Sequence, residues 1–63
     1  MDIMPGDKVT VWRPETSQLE TGIVLCRYGK KSILGWNYPD LIDVRFLDET
    51  VSCGHFTDLA IRI

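Results

Sequence analysis

Sixty-three residues leave room for one domain with a small core and exclude a multidomain enzyme. A hydrophobic share of 44% argues against disorder, while a formal charge of −2 and a pI near 5.1 disfavour a general nucleic-acid binder, which usually carries a basic stripe. Residues 1–15 hold no apolar run of signal-peptide type, and no stretch approaches the roughly eighteen apolar residues of a membrane span, so a cytoplasmic, reduced setting without a membrane partner is expected.

Met1 to Pro5 read as a loose lead-in. Pro5-Gly6-Asp7 is a turn signal before the first strand, Lys8–Trp12, where Val9 and Val11 alternate with polar positions and Trp12 falls on the outer face. Residues 13–20 form a polar loop, with Pro14 ending the strand because proline donates nothing to a ladder. A second strand, Thr21–Tyr28, opens on Gly22, a residue that permits close backbone approach, and points Val24 and Cys26 inward with Tyr28 near the rim. Residues 29–40 are too long for a tight turn and carry an apolar load unusual for a surface loop: Ile33, Leu34, Trp36 and Tyr38. Leu41–Phe46 is the cleanest strand, with Ile42, Val44 and Phe46 inward and Asp43 and Arg45 outward. An acidic turn leads to a short Val51–Gly54 strand. A single helical turn, Phe56–Leu59, precedes a closing strand, Ala60–Ile63, whose Arg62 faces solvent.

Five short strands and no sustained helical period predict an all-β fold, a five-stranded antiparallel barrel of SH3-like type with one helical turn before the last strand, spanning residues 1–63. The expected core is Val9, Val11, Val24, Cys26, Ile42, Val44, Phe46, Val51, Leu59 and Ile61.

Two resemblances bear on this expectation. Val44-Arg-Phe46, the acidic turn and Phe56-Thr-Asp-Leu59 resemble the latter half of Tudor domains. Lys8-Val9, Val11, Arg13-Pro-Glu-Thr16, Gly22, Val24, Tyr38-Pro39 and Val44-Arg-Phe46 occur in the same order as in the small SH3-like stromal subunit family of photosystem I. The second resemblance implies a cofactor-free accessory subunit. The first implies a reader of nucleic acid or of a modified peptide, with Trp12 and Phe46 near cage positions that hold a methylated cation by cation–π attraction. Val51-Ser-Cys-Gly54 stands where the plasmid-borne dihydrofolate reductases, barrels of similar length, carry Val-Gln-Ile-Tyr, so that activity is not carried over.

The aromatic residues of segment 29–40 are the strongest functional signal. Either they cap one end of the barrel as a lid or they form an interface, for which large aromatic side chains are well suited. The expected partner-binding residues are therefore Trp12, Ile33, Leu34, Trp36 and Tyr38. Arg27, Lys30 and Lys31 are an alternative contact for an anion or nucleic acid, or else a solvated hairpin tip. Trp12 either packs under the 13–20 loop or lines a groove with Tyr28 or Trp36. His55 lacks any spacing that supplies a catalytic partner. Cys26 and Cys53 match no zinc pattern, and a disulfide requires that their strands be neighbours. Asp40, Asp43, Asp48 and Glu49 read as acidic turn residues rather than catalytic pairs.

The expected function is thus a non-catalytic protein-interaction module or small accessory subunit, binding a protein through the aromatic segment, with no cofactor and no metal. The alternatives are a Tudor-type reader and a virus- or plasmid-encoded inhibitor of a host protein. Self-association is left open.

Overall fold

The computed structural model describes residues 2–63, and the chain is all-β within them. Its strands are β1 (Lys8–Arg13), β2 (Gln18–Arg27), β3 (Lys31–Ile33), β4 (Trp36–Tyr38), β5 (Leu41–Phe46), β6 (Val51–Phe56) and β7 (Ile61–Arg62), with a 3₁₀ turn at Thr57–Leu59. Five strands form one antiparallel sheet in the order β6-β5-β2-β1-β7, and β3 pairs only with β4. The sheet is open, with β6 and β7 as its edges, so the expected barrel closure is not part of the hydrogen-bonded ladder.

β1 and β2 run longer than their hydrophobic patterns suggest. The register Trp12↔Leu19 and Arg13↔Gln18 shortens the expected 13–20 loop to residues 14–17. Gln18-Leu-Glu20 escaped notice as strand because its polar side chains flank a partly exposed ladder rather than the core. Pro14 sits in the turn, where its missing donor costs nothing, and Ser17 takes the positive φ of 52° that reverses the chain.

Ile3, Val9, Val11, Val24, Ile42, Val44 and Phe46 make the core. Gly22 is what lets β2 lie against β5. A Cβ built there falls 2.4 Å from Val44 Cγ1 and 2.7 Å from the Arg45 carbonyl oxygen. The sheet curls across this point. Val11 on β1 and His55 on β6 line one groove although two strands separate them, and a flat sheet would hold β1 and β6 roughly 14 Å apart.

Four expected core residues lie elsewhere. Cys26 is half-buried, while Val51, Leu59 and Ile61 are exposed. Val51 pairs with Arg45 and Ile61 with Thr10, both on the outer face, and in a strand a one-residue change of register moves a side chain to the other side. Arg62 is exposed, as expected, although it stands opposite core Val9, and its Nε lies 3.4 Å from Asp7 Oδ2. Ile3 takes the vacated apolar role. The lead-in read as loose is docked from Asp2 onward by Gly6 N–H to the Val24 carbonyl (2.8 Å), Val24 N–H to the Asp7 carbonyl (2.9 Å) and Arg27 Nη1 to the Ile3 carbonyl (3.1 Å). Met1 lies outside the described residues.

Asp43 is the least expected buried residue. It sits where the ladder slips on both sides, between Val24 and Cys26 on β2 and beside the irregular stretch of β6. Its carboxylate accepts hydrogen bonds from Tyr28 Oη (2.6 Å), Cys26 Sγ (3.3 Å) and Gly54 N–H (3.2 Å). Two side-chain donors and the backbone N–H of Gly54, left without a ladder partner at the irregular stretch of β6, are thereby collected by one carboxylate. The Tyr28 hydroxyl holds the Asp43 carboxyl below the usual aspartate range. Asp43 in turn drives the Tyr28 phenol well above its ordinary value and raises the Cys53 thiol.

Candidate functional site

Two surface features carry apolar residues away from the core. The first is the β3–β4 hairpin, which replaces the expected loop. Ile33 pairs with Trp36 across a two-residue turn, with φ of 51° at Leu34 and 81° at Gly35, the signature of a type I′ turn. Gly35 suits that conformation. Leu34 does not, because its Cβ crowds the following carbonyl, at a cost of roughly 1–2 kcal/mol. Every residue from Lys31 to Tyr38 is exposed, with Leu34 at 94% and Trp36 at 73%. The hairpin is an arm and covers no part of the core, which removes the lid reading.

The second feature is a groove of about 420 Å³ on the concave side of the curled sheet. Trp12, Pro14, Phe56 and Leu59 supply apolar walls, and Glu15, Ser52, Cys53 and His55 supply polar groups. β6 positions its share through the irregularity at Cys53-Gly54, with Gly54 at φ 77°, which turns both Ser52 and His55 toward the groove. His55 Nε2 and Ser52 Oγ lie 2.7 Å apart, and the imidazole packs edge-on against Phe46 with centroids 6.2 Å apart. Burial lowers the His55 pKa. A hydroxyl beside an imidazole is one element of a nucleophilic site. Such a site also needs a group that orients the ring and donors for an oxyanion, and Asp43, the nearest buried carboxylate, is engaged by Tyr28, Cys26 and Gly54. The Ser52–His55 pair therefore reads as a local lock on the irregular strand.

The expected site residues divide between these features. Ile33, Leu34, Trp36 and Tyr38 are together on the arm, whereas Trp12, half-exposed, lines the groove with Pro14 and Phe56 rather than with Tyr28 or Trp36. Phe46 cannot wall an aromatic cage. It is 3% exposed, and the Arg13 guanidinium already covers its ring at 4.5 Å. Arg13, read from sequence as a loop residue, is a buried clamp whose Nη1 reaches Glu20 and Asp48, each at 3.0 Å. Its Nε has no hydrogen-bond acceptor and lies 3.8 Å from Glu15.

Arg27 and Lys30 line one pocket, but Asp2, Asp40 and Asp58 line it too, so the basic charge there is offset, and Lys31 is not among its walls. Arg27 is committed to Asp40 through Nε (3.1 and 3.0 Å) and Nη2, and Asp40 also accepts from Gly29 N–H at the base of the arm (3.1 Å). The guanidinium holds the Asp40 carboxyl below its ordinary range. Lys30 and Lys31 remain exposed at the arm's root.

Cys26 and Cys53 are free thiols on β2 and β6, which flank β5 from opposite sides. Two strand spacings, about 9–10 Å, exceed the reach of a disulfide, so the neighbouring strands that a bridge requires are not present. Among the described residues, no group of three or more His, Cys, Asp or Glu side chains is arranged to hold a metal ion, and no helix is long and apolar enough to cross a membrane.

Sequence reasoning located the arm from its aromatic content. It missed the groove because the walls come from two distant stretches, residues 11–15 and 52–59, joined only by the curl of the sheet. No protein-family model, curated protein or solved structure matches the chain.

Proposed function

We propose that this domain is a non-catalytic protein-interaction module, or a small accessory subunit, of SH3-like descent, which binds a protein through the β3–β4 arm. The observation that carries the reading is the arm itself. Three-residue strands in an isolated hairpin are marginal in water, yet this one presents Ile33, Leu34, Trp36 and Tyr38 to solvent. It also places leucine rather than asparagine at the strained turn position. A strained, exposed leucine is poor for stability and well placed for contact. The SH3-like part rests on the strand order, in which a meander returns its last strand to β1 after a 3₁₀ turn.

The test is Trp36→Ala. The variant is expected to keep the thermal midpoint of the parent and to lose capture of the partner from lysate of the source cell. Undiminished capture would count against the arm as the binding element.

A further inference from the structure

We infer that the outer face of the five-stranded sheet is a second docking surface, and that its partner is another protein whose apolar surface presents a carboxylate to Arg45. The inference goes beyond the reading of the arm and does not depend on it.

Register builds this face. Directly paired residues of an antiparallel sheet point to the same side. Ile61, Thr10 and Thr21 are thereby joined in one row across β7, β1 and β2. Lys8, Ile23, Arg45 and Val51 form another across β1, β2, β5 and β6. Leu19 extends the face along β2. The opposite side of the same strands carries core residues Val9, Val11, Val24 and Val44. A sheet with one face packed and one in water ordinarily reads apolar inward and polar outward. Here Leu19, Val51 and Ile61 are exposed and Ile23 is half-buried, so the outer face is apolar too. Its two threonines satisfy each other, Oγ1 to Oγ1 at 3.1 Å.

Charge names the occupant. The chain has nine acidic residues, and none stands in either row. Arg13, Arg27 and Arg62 each sit beside an aspartate. Arg45 does not: among the described residues it makes no ion pair and no side-chain hydrogen bond, and neither does Lys8. Asp48 follows closely on the turn after β5, but it is held by Arg13 and by Thr50 N–H.

In its row Arg45 stands between Ile23 and Val51. Whatever covers those two side chains covers the guanidinium as well, and a covered guanidinium needs a carboxylate. The same face of a second copy offers only Lys8 and Arg45, which repel. A bilayer seats cations at the rim of an apolar face, not between apolar side chains. Lys8 and Arg45 alone are too few phosphate contacts for nucleic acid. A protein surface with an acidic side chain among apolar ones fits.

The test is capture from lysate of the source cell, identification of the captured protein, and titration of that protein in purified form. Arg45→Glu and Leu19→Thr should each weaken its binding about tenfold or more. Both positions face solvent, so the urea midpoints should stay close to that of the parent. With Arg45→Lys, a zero-length carbodiimide should join the substituted side chain to an aspartate or glutamate of the captured protein, mapped by peptide mass. Changing that acid to arginine should restore binding to Arg45→Glu.

Capture indifferent to Arg45→Glu and Leu19→Thr overturns the inference. So does an Arg45-dependent contact that nuclease removes, that phosphatidylserine vesicles reproduce, or in which the captured protein is this chain itself. If capture depends on Trp36 and not on Arg45, the arm reading stands and this one falls. If it depends on Arg45 and not on Trp36, the reverse holds.

Discussion

Gly22 and Phe46 show how little slack the core has. Any side chain at Gly22 meets Val44 and the β5 backbone, and backbone does not move aside as a flexible side-chain tip does. Gly22→Ala is therefore expected to cost about 1–3 kcal/mol through overpacking, read from the urea midpoint with the slope unchanged. Phe46 carries more, since its ring fills the end of the core, holds the edge of His55 and forms the floor for Arg13. Phe46→Ala should remove about 3–5 kcal/mol, enough to abolish a cooperative thermal transition in a domain this small. A sharp melt retained by that variant would show that Phe46 is not the keystone of the core.

Elements in this fold are held by side chains at their irregular points. β2, β5 and β6 meet around Asp43, and the arm is rooted through Asp40 to Arg27 and Gly29. Asp43 has a lowered pKa in the folded state, so its contribution is complete above the unfolded value near 3.9 and is lost as pH falls through the folded value. Asp43→Asn keeps an acceptor but surrenders the charge. It is expected to lower the melting temperature at pH 7 and to flatten the acid decline. An acid limb as steep as that of the parent would assign the decline to other carboxylates. The arm has no such anchor beyond its root, which is why its tip depends on the turn and on whatever packs against it.

Across the whole molecule the carboxylates with shifted pKa values and His55 act in one direction. Glu20, Asp40 and Asp48, like Asp43, have lowered pKa values. The leading causes are the hydrogen bonds from the Thr16 hydroxyl, Arg27 and the Thr50 backbone respectively. His55 is lowered by burial, so acid protonates the unfolded chain before the native one. Each effect removes stability as pH falls: His55 below about 6.5, the carboxylates below about 4. Urea midpoints should thus decline steadily from neutral pH into acid.

Period-two alternation alone determined that the chain is all-β and where β5 lies, and it named ten core residues of which six are buried, because inward apolar and outward polar positions repeat at the pleat. Close approach at Gly22 and the apolar load of residues 33–38 were legible for the same local reason: one is the absence of a side chain, the other an excess of apolar ones. Only the tertiary structure decided the faces of Val51 and Ile61, since strand register depends on partners distant in the chain. The same holds for buried Arg13 and Asp43. Nothing local tells a clamped charge from a solvated one until Phe46, Glu20 and Asp48, or Tyr28, Cys26 and Gly54, are brought around it. The groove belongs to that class as well, for it exists only because a sheet opened to close packing by Gly22 curls β1 toward β6.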